Sequence, residues 1–385
     1  MAAIASDALA RVWDVGTGRE LLTLAGPTGG GLFSVAFSPD GDRLLAGGRG
    51  DTRVWDISVA GARDWLTVPS VELILAGVAF SPDGTTFAAP AEPAGVTIWD
   101  AETGDEVITL TGPEQKLTTV AFSPDGAKLA AGSDLTGAPP VWDVRTGELL
   151  FTLNGHPFDT ARAVSFSPDG TRIVTGGWDG TARAWDATTG EPTDVLRANS
   201  SVVAVAYSPD GGLLVTGEEN GTVEVWDAAT LERRRTLVGH TSTVLSLAFG
   251  PDRMLVTASD DGTAKVWDLA SGRERITFRG HRAGVTQIAV GPDGTQVATT
   301  SDDASTKLWD PATGRELLTL VGHDSLVSGV DFSPDGRLLA TASPDGTTAL
   351  HLLPIDEFQD LARERVTRGF TEQECRDYLR VARCP

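Results

Sequence analysis

Val244-Leu245-Ser246-Leu247-Ala248-Phe249-Gly250-Pro251-Asp252-Arg253-Met254-Leu255-Val256-Thr257-Ala258-Ser259-Asp260-Asp261-Gly262-Thr263-Ala264-Lys265-Val266-Trp267-Asp268 decides the fold. Val244–Phe249 is a short β-prone run. Gly250 to Arg253 is a turn whose proline pre-sets φ. Met254–Ala258 reads as a second strand, and Asp260-Asp261-Gly262 turns the chain back, with Gly262 free to take positive φ. Thr263–Trp267 is a third strand, and Arg275–Phe278, after Ser271-Gly272, a fourth. Four such strands make a sheet too small to hide both of its faces.

The unit recurs. Trp-Asp occurs at Trp13, Trp55, Trp99, Trp142, Trp185, Trp226, Trp267 and Trp309, with successive spacings of 42, 44, 43, 43, 41, 41 and 42 residues. His351 stands a further 42 residues on, in a ninth, degenerate copy. Ser/Gly-Pro-Asp runs in phase, from Pro39 to Pro334, and Thr/Ser-Gly follows most Trp-Asp pairs; Thr230-Leu231 departs from it. Packing small sheets radially buries their faces and leaves short edges, which predicts an all-β propeller.

Over roughly residues 5–353 the sequence resembles the WD40 repeat family. The resemblance implies a buried polar chain within each blade. By spacing its members are His156, Thr175, Asp179 and Trp185; His240, Thr257, Asp261 and Trp267; His281, Thr299, Asp303 and Trp309. A buried indole N–H needs a partner, and a buried carboxylate is tolerated only when donors satisfy it. The repetition, ending on Trp each time, sets these residues apart from a catalytic triad. Four histidines follow glycine and His351 replaces a tryptophan, so none remains for metal or acid–base chemistry. In the unit around Trp226, Ala198 takes the histidine place and Asn220 the aspartate place.

Eight innermost strands begin near Leu32, Ala76, Thr118, Ala163, Val202, Val244, Val285 and Val327. The reading favours an eight-bladed WD40 β-propeller over residues 1–354, with Glu20–Leu24 completing the last sheet beside Thr348–Leu353. Residues 1–14, including a strand at Ala2–Ser6, are then a surplus half-blade. Seven blades plus part of a preceding propeller is the alternative. Residues 355–385 read as a helical C-terminal tail, with a capping box at Thr371-Glu372-Gln373-Glu374. This tail resembles the C-terminus of actinobacterial WD40-containing regulatory proteins linked to NTPases or kinases, yet neither a phosphate-binding loop nor a kinase signature is found. Cys375 and Cys384 are the two cysteines, and whether they bond stays open.

Composition narrows the function. The 385 residues carry 31 Lys+Arg against 53 Asp+Glu, a formal charge of −22. Such acidity disfavours nucleic acid and anionic membranes, although a local basic patch is compatible with it. No stretch approaches a membrane-spanning run and no signal peptide opens the chain, which gives a cytoplasmic expectation. The resemblance implies a non-catalytic scaffold that binds proteins or peptides through the loops of one face, without cofactor, metal or small-molecule substrate. Two alternatives accompany it: a sensor or autoinhibitory module of a larger signalling protein, and a propeller hydrolase with a central-channel metal. Phe158 and Trp178 form a candidate hot spot, or else close on each other as a local cluster. Asp260, Asp302 and Asp324 form a candidate acidic rim for Lys/Arg-bearing partners, or else a solvated face.

Overall fold

A computed structural model gives the structure of the chain. It describes residues 9–14, 19–25, 32–48, 51–56, 63–69, 78–90, 95–103, 105–112, 116–134, 138–156, 161–321, 323–334, 336, 338–343 and 347–352. Among them the protein is all-β, apart from one 3-10 turn at Pro251–Arg253. No helix in the described residues is long and apolar enough to cross a membrane.

Val244–Phe249, Leu255–Ser259, Thr263–Asp268 and Arg273–Arg279 form one antiparallel sheet in that order. Leu255–Ser259 is buried throughout, whereas Arg273–Arg279 is largely exposed, so the sheet is driest at its centre. The same order recurs in the sheets that start with Leu32–Phe37, Ala79–Phe80, Val202–Tyr207 and Val285–Val290. Two further four-strand sets, starting with Lys116–Phe122 and Ala161–Phe166, are joined into one eight-stranded sheet where Ser133 pairs with Ala161.

Trp99, Trp142, Trp185, Trp226, Trp267 and Trp309 pack into the preceding sheet. Trp309 joins Val256, Val266 and Phe278 in one apolar cluster and stacks on Phe278 at 5.1 Å between ring centroids. Trp267 does the same with Val215, Val225 and Leu237. The core is therefore distributed between sheets, and each face is dry only while its neighbour is present.

The last sheet draws on both chain ends. Its strand order is Arg19–Ala25, Leu9–Asp14, Thr347–Leu352, Leu338–Ser343, Gly329–Phe332. Leu9–Asp14 runs parallel to Thr347–Leu352, with Val12 opposite Leu350, whereas its pairing with Arg19–Ala25 is antiparallel. This corrects one detail of the sequence reading. Glu20–Leu24 does not lie beside Thr348–Leu353, because Leu9–Asp14 pairs with both neighbours and stands between them. The strand predicted at Ala2–Ser6, the tail 355–385 with both cysteines, and Phe158 lie outside the described residues.

Innermost strands have an edge with no further strand to pair with, and side chains serve it instead. Ser34 Oγ accepts from the Val78 amide at 3.4 Å, and Gln287 Oε1 from the Val330 amide at 2.8 Å. Asp331 Oδ2 accepts from the Phe37 amide at 3.1 Å, joining residues 294 apart and tying the last sheet to the Leu32–Phe37 strand. The residues equivalent to Asp331 in the other units are Ala36, Ala79, Ala121, Ser165, Ala206, Ala248 and Ala289. Burial pushes the Asp331 carboxyl up to about 6, against the pull of the Phe37 and Phe332 amides. The folded chain holds this proton more tightly than the unfolded chain, so this group's contribution to stability falls as pH rises from 3.8 towards 6. Asp331→Asn keeps an acceptor for Phe37 and removes the ionisation. Urea unfolding should show it stabilised by on the order of 2 kcal/mol at pH 8 and nearly neutral at pH 4. Equal effects at both pH values would refute the assignment.

Candidate functional site

The structure brings the twelve residues of the polar chains together in three separate sets. Trp185 Nε1 donates to Thr175 Oγ1 at 2.9 Å, Thr175 Oγ1 lies 2.8 Å from His156 Nε2, and His156 Nδ1 lies 3.1 Å from Asp179 Oδ1. The corresponding distances are 2.8, 2.7 and 2.9 Å through Trp267, Thr257, His240 and Asp261. They are 2.8, 2.8 and 3.1 Å through Trp309, Thr299, His281 and Asp303. The direction of each chain follows from its ends. An indole can only donate and a carboxylate only accept, so threonine passes its hydrogen to histidine Nε2, and Nδ1–H faces the carboxylate.

Electrostatics fit that direction. Burial lowers the imidazoles of His240 and His281, with Asp261 and Asp303 pulling the other way. Burial works to raise the Asp303 carboxyl, but the Ser305 hydroxyl, the Arg282 amide and His281 outweigh it and hold it at about 2. Asp261 is held down similarly by Thr263, the Thr241 amide and His240 against its own burial. In the His240 and His281 sets burial thus disfavours a charged imidazole, while the carboxyls of Asp261 and Asp303 are held low. Among the described residues no set of three His, Cys, Asp or Glu is arranged to hold a metal ion.

The unit with Ala198 and Asn220 solves the same problem differently. Trp226 Nε1 still donates to Thr216 Oγ1, at 3.2 Å. Glu218 and Glu224 are both enclosed nearby. Asn199 gives its backbone N–H to Glu218 Oε2 at 3.1 Å and its Nδ2 to Glu224 Oε1 at 2.9 Å. Burial, then the Glu224 charge, pushes Glu218 up to about 7. Glu224 also pairs with Arg233 at 2.8 Å, the reverse in sign of Lys265 with Glu274 at 2.7 Å and Lys307 with Glu316 at 2.9 Å. Sequence reasoning missed both glutamates. The signal was there, since Glu224 stands where other units carry Arg183, Lys265 and Lys307.

The predicted rim lies where the second strand turns into the third. Trp178, Glu219, Asp260 and Asp302 occupy the same turn position in four successive units. Trp178 is 48% exposed, with the Arg162 guanidinium 4.6 Å from its ring centroid. The Ser201 hydroxyl lies 2.8 Å from Glu219 Oε2 and 3.3 Å from the Trp178 carbonyl, linking one turn to the next. Asp260 and Asp302 flank Gly284, where an added Cβ would sit 2.6 Å from Asp260 Oδ1 and 3.4 Å from Asp302 Oδ2. Burial and the Asp260 charge raise the Asp302 carboxyl. Asp324 is exposed in the loop that leads to Gly329–Phe332.

The profile of the family described as "WD domain, G-beta repeat" matches residues 18–56, 104–136, 147–186, 190–227, 231–268, 272–310 and 314–350, well over half of the chain. The chain belongs to the WD40 family. Relatives include the protein groucho of Drosophila melanogaster, 29% identical over 184 residues, covering 47% of this chain and 25% of groucho. Transducin-like enhancer protein 2 of Mus musculus is 28% identical over 197 residues, 47% of this chain and 24% of that protein. The WD40 chain thus spans about a quarter of the length of these relatives. A crystal structure of the computationally designed Ika8 protein matches with a TM-score of 0.76 and 29% identity, covering 87% of this chain and all of that one.

A comparison within the WD40 units tests the polar chains. Thr257→Val orphans both the Trp267 N–H and the His240 ring nitrogen, and should destabilise the protein by about 2–4 kcal/mol. Thr216→Val orphans only the Trp226 N–H and should cost about 1–2 kcal/mol. Urea unfolding midpoints check the order; equal losses would contradict the shared-hydroxyl reading.

Proposed function

We propose that this WD40 protein is a non-catalytic protein-interaction scaffold whose working face is the rim of Trp178, Glu219, Asp260 and Asp302, and whose partner presents Lys or Arg. The propeller we infer has eight blades, because eight innermost strands follow one another in contact and Leu32–Phe37 lies against Gly329–Phe332. Such a ring holds its turns on stiff sheets, which suits recognition by loops.

The observation that carries the reading is the pair of carboxylates at Gly284. Two like charges crowded at a half-buried spot repel each other; burial first, and the Asp260 charge after it, raise the Asp302 carboxyl. A guanidinium or ammonium set between them relieves it. Trp178, broad and half exposed, already carries one guanidinium on its face and supplies the apolar part of such a contact. The WD40 membership and the likeness to groucho and transducin-like enhancer protein 2 support a scaffold over an enzyme.

The test is a pull-down from native lysate with mass spectrometry, followed by affinity measurement on the partner recovered. Trp178→Ala and Asp260→Asn/Asp302→Asn should each weaken that partner by about 2 kcal/mol, roughly thirtyfold, with unchanged melting temperature. A partner indifferent to all three substitutions removes this face from the function.

A further inference from the structure

The unit of Trp226 encloses two acids whose hydrogen-bonding capacity is only half used. Glu218 and Glu224 are both fully buried, and Glu218 Oε1 and Glu224 Oε2 have no hydrogen-bond partner. Glu218 stands in register with Gly177 of the preceding unit, where an added Cβ would sit 2.2 Å from His156 Nδ1. Glu218 therefore looks into the space that an imidazole fills one unit earlier. It can do so because the histidine place is held here by Ala198.

The charges around the pair do not balance. Glu224 Oε1 takes the Arg233 guanidinium, which stays 43% exposed. Glu218 makes no ion pair to a described residue. Burial first, and the Glu224 charge after it, push its carboxyl up to about 7, against the Asn199 and Ser200 amides and Asn220. The adjoining sheets lend no charge, because Arg183 is paired with Asp179, His240 with Asp261 and Lys265 with Glu274. Two buried carboxylates that share one guanidinium are costly when both are ionised.

One asparagine reaches both acids. Asn199 gives its N–H to Glu218 and its side-chain amide to Glu224, yet is itself exposed, so it stands between the pair and solvent. Two residues on, the Ser201 hydroxyl links Glu219 to the Trp178 carbonyl, and the Ser201 carbonyl accepts from the Glu219 amide at 2.9 Å. Residues 199–201 are thus seated on the buried carboxyls at one end and join two successive turns at the other.

We infer that this arrangement is a proton-operated latch: a proton on Glu218 keeps residues 199–201 seated over the two carboxyls, and its loss frees the segment and uncouples the Trp178 and Glu219 turns. When the segment lifts, Glu218 meets water and returns to the ordinary 4.5. The seated form therefore binds the proton more tightly. Its advantage is complete below 4.5 and is lost as pH rises through about 7. Between pH 6 and pH 8 the ratio of lifted to seated segments should rise about tenfold. The latch acts on the turns themselves and stands whether or not they bind a partner.

Hydrogen exchange on the full chain, read by mass spectrometry at pH 6 and pH 8 and corrected for intrinsic rates, follows the lifting in peptides that contain residues 199–201. The wild type should lose protection there about tenfold at pH 8. Glu218→Gln keeps an acceptor for Asn199 and removes the ionisation, and should be protected equally at both pH values. A second readout needs no variant. With isotope-labelled glutamate in the wild-type chain, the infrared band of a protonated glutamyl carboxyl should persist at pH 6 and vanish by pH 8; the raised aspartates Asp302 and Asp331 are silent in it. Equal wild-type protection at both pH values, a pH dependence retained in Glu218→Gln, or a glutamyl band already lost at pH 6 overturns the latch. Protection restored at pH 8 by millimolar calcium chloride, and not by sodium chloride of equal ionic strength, also overturns it, since the pair would then take a metal ion in place of the proton.

Discussion

A four-stranded sheet of this size has two apolar faces and cannot bury either by itself, so every unit depends on its neighbours and the row of sheets depends on being closed. Closure falls between Leu32–Phe37 and Gly329–Phe332, strands some three hundred residues apart in a chain whose other contacts are mostly between adjacent units. Joining such distant segments carries the largest loop-closure entropy in the fold. The interactions placed there answer it in two ways. Asp331 reaches over to the Phe37 amide, and both chain ends share one sheet through the parallel pairing of Leu9–Asp14 with Thr347–Leu352. A carboxylate at a position that is alanine or serine in the other units is the mark of that special duty, and its raised protonation is the physical consequence.

Within a unit the second constraint is the indole N–H. Tryptophan supplies the apolar area that fastens one sheet to the one before it, but its N–H then has to be satisfied without water. Threonine, histidine and aspartate carry that obligation outward to a turn, where the carboxylate also accepts from Thr263 or Ser305 and fixes the Asp-Gly or Asp-Ala reversal. In the unit of Trp226 the chain stops at Thr216, and Glu218, Glu224 and Asn199 take up the vacated polar space. That unit also holds Leu231 in a glycine conformation. Its neighbour turns from Gly250 to Leu255 in six residues, where Ser208 to Leu214 takes seven.

Much of this was legible in the sequence because a repeat shows its own expectations. Eight Trp-Asp pairs gave the strand order, and the spacing of His, Thr, Asp and Trp named the partners that the structure joins. What was hard to read involves residues far apart or sign changes at a single position. The docking of the Leu9–Asp14 hairpin is a long-range parallel pairing, for which local pattern carries no information. Asp331, Glu224 and the six-residue turn at Gly250 to Leu255 are visible once the units are laid against each other, as one acid among alanines, one acid among cations and one missing residue. Reading the repeat for likeness hides them. Reading it for difference brings them out. Glu219, the fourth member of the rim, was overlooked for the same reason: its place in the series is evident beside Trp178, Asp260 and Asp302.

The proposed rim is carried by the driest part of a unit. Leu255–Ser259 is buried along its whole length and leads straight into Asp260. Its five residues, roughly 17 Å of chain, pair with a strand on each side. A turn anchored in that way presents its side chains without rearrangement, which is the condition that the proposed recognition by Trp178, Asp260 and Asp302 requires.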